Sequence, residues 1–300
     1  MKTICVIAPW LFVLTIVPCA AEPAAWFQAH RGALDERPEN TLPAIEHAWG
    51  LPGAVPEVDL RTTKDGVIVC IHDTTPARTT DAPATWAGKP IAEIPYDVLA
   101  TWDAGAWFDP EYAGTRVPTL DAVFDRMGRD DARQLYLDLK AVALDDVITK
   151  IRARGFEKRI IFVHGNPVRC AALQRACGGA RTMTWLSGPP DRIRARFKWL
   201  ARRAFHGIDQ LQLHLEATAK QPEIRYALEA AELAEAVAKT RAAGVALQVR
   251  PFAFDAASLR GLLDMGIRWY VADAPAAFHA ALEAAAGMTR KNTQAGAKDE

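Results

Sequence analysis

The chain has few cysteines, no net charge and almost no long apolar run. Five cysteines occur in 300 residues, and two of them, Cys5 and Cys19, lie in an apolar N-terminal stretch. The other three, Cys70, Cys170 and Cys177, are an odd number, which argues against a disulfide framework. Cys170 and Cys177 fall in a stretch that reads as helix, where seven residues rise roughly 10 Å, too far for a bridge. Lys and Arg total 36, as do Asp and Glu, and no basic run of five or more is present. Nucleic acid and anionic membrane are therefore poor partners on electrostatic grounds. No 20- to 50-residue repeat is visible, which excludes a solenoid. No glycine-rich phosphate turn follows the first strand, which disfavours a doubly wound dinucleotide fold.

The single long apolar run is Ile4 to Val17, preceded by Lys2 and followed by "PCAAE". It is too short to span a membrane and reads as a secretory signal over residues 1–21. Pro18 makes a poor lipidation site of Cys19. The expected mature chain is exported, periplasmic or secreted, with no stable membrane insertion. Half of the residues are apolar and 24% are charged, enough for a full core. Short apolar strands alternate with helical stretches, as in a parallel sheet flanked by helices. Nearly eight strand–helix units are present, so a (β/α)8 TIM barrel is expected as one domain over residues 22–288. Residues 74–118, rich in Pro, Gly, Thr and Asp, interrupt the rhythm as a small insertion. The polar end, residues 289–300, reads as a disordered tail.

Side chains alternate along a strand, so parity sorts the faces. In "LYLDLK" the leucines belong against the outer helices, which turns Tyr136, Asp138 and Lys140 inward. The same logic turns Gln212 and His214, Gln248 and Arg250, and Gln28 and His30 inward. "EVDLRTTKDGVIVCIHD", residues 57–73, reads as two strands joined by a tight turn. Too few residues separate them for a parallel crossover, so the pair is an antiparallel hairpin. A two-residue turn places His72 on the face of Glu57 and Asp59; a three-residue turn flips it away. Most of these residues fall at the C-terminal ends of strands, where barrel enzymes place their chemistry. Taken singly, a strand-end histidine is more often structural, and an inward acid often pairs with a lysine. Jointly, three inward acids repel in a poorly solvated mouth, and Lys140 offsets only one. A divalent cation would settle the rest, and all-oxygen ligands suit Mg²⁺ or Ca²⁺.

In order and spacing, "AHRG", "RPENT", "EVDLRTTKDGVIVCIHD", "VPTLDAVF" and "LYLDLK" resemble the motif series of the glycerophosphodiester phosphodiesterase family. The match is close from residue 29 to about 140 and loose afterwards, ending in "GIRWYVADAP". The resemblance implies metal-dependent hydrolysis of glycerophosphodiesters to sn-glycerol 3-phosphate and an alcohol. His30 and His72 match the acid/base histidines, without indicating which is the acid. Glu57 and Asp59 match metal ligands, and Asp138 takes the place of a further ligand that is usually glutamate. Arg31 and Lys140 match phosphate-contacting positions, and Glu39 and Asn40 the site rim. "LQVRP" departs from the family's Trp-Thr-x-Asn, so the alcohol side of the substrate, where Gln212, His214 and Arg250 are expected to bind, is open. Arg250 either receives an anionic group there or pairs with Asp273. Two other functions stand beside this one. A phospholipase D-like lyase for lysolipids or sphingolipids would need an apolar surface, for which Trp102, Trp107, Phe108 and Tyr112 are candidates. A catalytically inactive phosphodiester-binding protein is the other. Oligomeric state has no signal in the sequence.

Overall fold

The computed structural model describes residues 23–219 and 223–296. The expected leader, residues 1–21, and the last tail residues, 297–300, lie outside them. The strands are β1 (Trp26–Ala29), β2 (Ala54–Thr62), β3 (Ile68–Cys70), β4 (Leu135–Ala141), β5 (Ile160–Val163), β6 (Arg181–Leu186), β7 (Gln210–Leu215), β8 (Ala217–Ala219), β9 (Arg225–Tyr226), β10 (Ala246–Pro251) and β11 (Trp269–Ala272). Strands β1, β2, β4, β5, β6, β7, β10 and β11 are parallel in that cyclic order, and β11 returns to β1. The result is a closed (β/α)8 barrel. β3 pairs antiparallel with β2. The short β8–β9 hairpin is an addition that the alternation of strands and helices does not announce.

Helices separate the strands: α1 (Leu42–Trp49), α2 (Ala84–Ala87), α3 (Tyr96–Leu99), α4 (Leu120–Met127), α5 (Leu144–Arg154), α6 (Pro167–Ala176), α7 (Pro190–Ala201), α8 (Ala230–Ala242), α9 (Ala256–Asp264) and α10 (Pro275–Gly296). Their ends follow local chemistry. The Thr119 hydroxyl accepts the Ala122 amide at the start of α4, and Asp255 with Ser258 forms a capping box on α9. α5 stops at Gly155, whose φ of 66° terminates a helix at no side-chain cost. The backbone of α10 continues into the polar end of the chain, through the first residues expected to be disordered.

Burial confirms the parity reading on the outer face. Val58, Leu60, Leu135, Leu137 and Phe162 pack with residues of α1, α4 and α5. Phe27, Leu211, Leu213, Leu215, Val249 and Tyr270 pack on the opposite side with residues of α7 to α10. Truncating one of these leucines to alanine costs about 2–5 kcal/mol, so the outer layer fixes strand rotation firmly. Fixed rotation aims the alternate residues at the axis. The lower interior is closed by Val55, Tyr136, Ile161 and Met183, with Trp26 and Trp269 against them. The insertion has its own small core of Val69, Ile71, Ile91, Ile94, Leu99 and Trp102. Trp102 is therefore used internally, while Trp107 is 39% exposed.

Candidate active site

Lateral pairing places Glu57 beside Tyr136 and Asp59 beside Asp138. One carboxylate oxygen from each of Glu57, Asp59 and Asp138 lies within 4.8 Å of the others. Glu57 and Asp59 are buried, at 2% and 1% exposure. Unpaired charges so deep would be prohibitive, and the surrounding groups show how they are held. Lys140 Nζ stands 2.6 Å from Asp138 and 3.1 Å from Asp59. The Asn40 side chain donates to Asp59 at 2.9 Å and accepts the Asp59 amide at 2.8 Å. The Arg31 amide donates to Glu57 at 2.8 Å. Even so, burial and then Asp59 and Asp138 push the Glu57 carboxyl well above its usual range. Burial also raises Asp138 against the pull of Lys140. Burial lowers the Lys140 ammonium, but Asp59 and Asp138 more than reverse it. The cluster carries more negative charge than its own cations offset, and its donors are hard oxygens. It could hold a hard divalent cation.

The loop after β1 is bent to serve this cluster. Arg31 (φ 52°) and Asn40 (φ 58°) are left-handed. Asn tolerates that region; an arginine there costs of order 1–3 kcal/mol unless its surroundings impose it. The hydrogen bonds to Glu57 and Asp59 are that imposition. Gly32 (φ 85°) follows, where a Cβ would come 2.9 Å from Ala44 Cβ, so α1 can pack closely. The Arg31 guanidinium donates to Glu39 at 3.0 Å. Its Nε is buried without a hydrogen-bond partner, 3.7 Å from Asp59.

His30 closes β1 and faces a cavity of about 170 Å³ lined by Glu57, Asp138, Lys140, Gln212, His214 and Arg250 among others. Its Nδ1 is 2.7 Å from Asp273, at the end of β11. Burial lowers its pKa below the ordinary 6.5, with Asp273 opposing and Arg250 reinforcing. Burial would raise Asp273, but His30 and Arg250 hold it well below the usual carboxylate range. Behind the cavity lies a set of amides. Gln212 donates to Gln248 at 2.8 Å, Gln248 donates to the Tyr270 carbonyl at 3.0 Å, and the Tyr136 hydroxyl donates to Gln210 at 2.8 Å. Gln212 Oε1 accepts from His214 Nε2 at 2.9 Å. Burial, then Arg250 and His30, lower His214 to about 4. Gln212, His214 and Arg250 thus line the cavity with His30, Lys140, Glu57 and Asp138, as parity requires.

His72 departs from the hairpin argument. Leu60 pairs with Cys70 and Thr62 with Ile68, and the Thr63 amide donates to Val67, which makes Lys64–Gly66 a three-residue turn. That register would put His72 on the face of Val58, away from the acids. β3 ends first, at Cys70, and the chain bends. The His72 carbonyl accepts from Arg61 at 2.8 and 3.0 Å, and its Nδ1 meets Asp73 at 2.8 Å. The 33% exposed ring does not line the cavity. Arg78 ties it to the rest: it grips Asp73 at 2.7 and 3.0 Å and Glu39 at 2.7 and 2.8 Å. Glu39 in turn holds Arg31. The tie explains why a rim glutamate is 4% exposed.

Val163, Met183, Trp185 and Val271 also line the cavity without having been singled out. In "RTMTWL" both alternating sets mix polar and apolar residues, so parity gave no inward face. Asp273 was considered only as a partner for Arg250, because a contact across 243 residues has no local signal.

Fold and mouth together define a (β/α)8 barrel with carboxylates, His30 and His214 gathered at the carboxyl ends of its strands. The chain belongs to the glycerophosphoryl diester phosphodiesterase family, which matches it over residues 30–277. It is 33% identical over 139 residues to a glycerophosphodiester phosphodiesterase of Caldanaerobacter subterraneus, an alignment covering 44% of this chain and 55% of that relative. It is 37% identical over 109 residues to one of Bacillus subtilis, covering 34% and 36%. The chain thus spans about a third to a half of these relatives' lengths. A glycerophosphodiester phosphodiesterase structure from Agrobacterium tumefaciens superposes with a TM-score of 0.66 at 25% identity, over 85% of this chain and 99% of that one. An Oleispira antarctica phosphodiesterase solved with its product sn-glycerol-3-phosphate superposes with a TM-score of 0.59 at 22% identity, over 86% and 96%.

Proposed function

We propose that the protein hydrolyses glycerophosphodiesters to sn-glycerol 3-phosphate and an alcohol, using His30 and His72 as acid and base. The observation that carries this is the meeting of Glu57, Asp59 and Asp138 at the mouth beside the His30–Asp273 pair. A phosphodiester is an anion and repels a nucleophile. Mg²⁺ or Ca²⁺ held by Glu57, Asp59 and Asp138 would offset that charge and polarise the phosphoryl oxygens. Arg31, with its unmatched Nε, and Lys140 add fixed positive charge where negative charge grows in the transition state. His30, bonded through Nδ1 to Asp273, has Nε2 to take the proton of the attacking glycerol hydroxyl or water. His72, turned by Asp73 and braced by Arg78, gives a proton to the departing alkoxide. The two exchange roles if a cyclic intermediate is then opened by water.

Release of glycerol 3-phosphate from glycerophosphocholine, with and without chelator, tests the reading. Turnover lost on chelation and regained with Mg²⁺ or Ca²⁺ supports it; no turnover with either ion, or full turnover in metal-stripped protein, refutes it. Export is proposed on the N-terminal sequence alone, and a mature chain beginning near Glu22 by mass spectrometry checks it.

A further inference from the structure

Arg250 reaches Asp273 with a single nitrogen, Nη2, which lies 2.7 and 2.9 Å from the two carboxylate oxygens. The same nitrogen lies 3.1 Å from His30 Nδ1, and Asp273 Oδ1 lies 2.7 Å from that Nδ1. A guanidinium nitrogen can only donate and a carboxylate can only accept. His30 Nδ1 therefore has two partners that exclude each other. Protonated, it donates to Asp273; bare, it accepts from Arg250. In the neutral ring the first arrangement leaves Nε2 a free acceptor, and the second puts the proton on Nε2. The balance between the carboxylate and the guanidinium thus decides which nitrogen is basic.

We propose that Arg250 is a positioning residue for His30: it pins Asp273 beside Nδ1 and opposes a second proton on the ring, so that His30 reaches the substrate as a base. This rests on the catalytic role proposed for His30. The guanidinium is also stacked near Phe252, 5.0 Å from the ring centroid, which holds it in place. The charged and titratable groups around His30 come from six elements, Asp138 and Lys140 on β4 lining the same cavity. Arg31 and Asp35 follow it in the same loop, Glu57 stands on β2, His214 on β7, Arg250 on β10 and Asp273 after β11. Of the cations, Arg250 touches both His30 and its carboxylate. Burial is the largest cause of the lowered basicity of His30, Asp273 opposes it, and Arg250 adds to it.

The test is ring-nitrogen NMR of His30 in the full-length wild type, Arg250→Gln and Arg250→Lys, beside pH–rate profiles on glycerophosphocholine and glycerophosphoserine. In Arg250→Gln the His30 midpoint rises by about one pH unit, a tenfold change in proton affinity. The acid limb of kcat/KM rises with it, equally on both substrates. Arg250→Lys, which keeps the charge without the two-oxygen grip, gives a smaller rise. An unmoved midpoint in Arg250→Gln overturns the proposal, as does a KM loss confined to glycerophosphoserine, which would make Arg250 a specificity residue. Should Arg250→Gln fail to fold, an unmoved midpoint in Arg250→Lys overturns it instead. A raised midpoint alongside a fully active His30→Ala would uphold the positioning claim and refute the proposed catalysis.

Discussion

Around the mouth, β1, β2 and β4 bring His30, Glu57, Asp59, Asp138 and Lys140, whereas β6, β7 and β10 bring Trp185, Gln212, His214, Gln248 and Arg250. Both sides bury polar groups. The amide side nearly closes on itself: Gln212, Gln248 and His214 donate and accept among one another and with Gln28, while Gln210 Nε2 below them has no partner. The acid side does not close: three carboxylates crowd together, and Glu57 is driven toward its protonated form. A largely satisfied neutral network rigidifies, while an under-compensated cluster of charge invites a cation. One half of the mouth is built as a wall and the other as a receptacle.

The largest effect should come from emptying the receptacle. Asp59→Asn removes a proposed ligand and the partner of Asn40, Arg31 and Lys140, so kcat/KM should fall by about a thousandfold, near the loss expected from chelation. Activity above a tenth of wild type would break the contrast between the halves. His30→Ala and His72→Ala should each lower kcat by about a hundredfold or more with the protein still folded. Since His72 stands outside the cavity, near-normal turnover in its variant alone would make it a structural residue. In stability the ranking inverts. Gln248→Leu strips partners from Gln212 and the Tyr136 hydroxyl and should cost about 1–3 kcal/mol by denaturant unfolding. Glu57→Gln should raise the metal-free melting temperature while abolishing turnover; a lower melting point would show that the acids are already balanced. The smallest effect is a slope. Above pH 6.5, His214 is neutral whether folded or unfolded and contributes nothing. From 6.5 down to about 4 the unfolded ring takes a proton that the folded one refuses, so stability falls with pH. His214→Asn should flatten the melting-temperature profile in that window, and unchanged curvature would count against it.

The acid side was legible because its residues sit in regular strands whose leucines declare the outer face. Asp138 and Lys140 follow from Leu135, Leu137 and Leu139 with no knowledge of the neighbouring strand. His72 was not legible, because its facing depends on turn length and "TTKDG" serves two- and three-residue turns alike. Trp185 was hidden by a strand with mixed faces. α10 was not expected, since "PAAFHAALEAAAG" is so rich in alanine that no apolar stripe stands out. Asp273 was quoted in its motif, yet its bond to His30 exists only because the last strand meets the first.

That meeting has a consequence for how activity arises. The β1–β11 seam joins the two ends of the folded chain, and Trp26 stacks on Trp269 across it with centroids 5.9 Å apart. Contacts so distant along the chain form late, after the loop-closure entropy of almost the whole domain has been overcome. The acids on β2 and β4 lie on neighbouring strands and can assemble earlier. If the acids hold a cation as proposed, a refolding chain should capture it before it can turn over substrate. The indole pair, watched by fluorescence, offers a clock for the moment when the ring shuts.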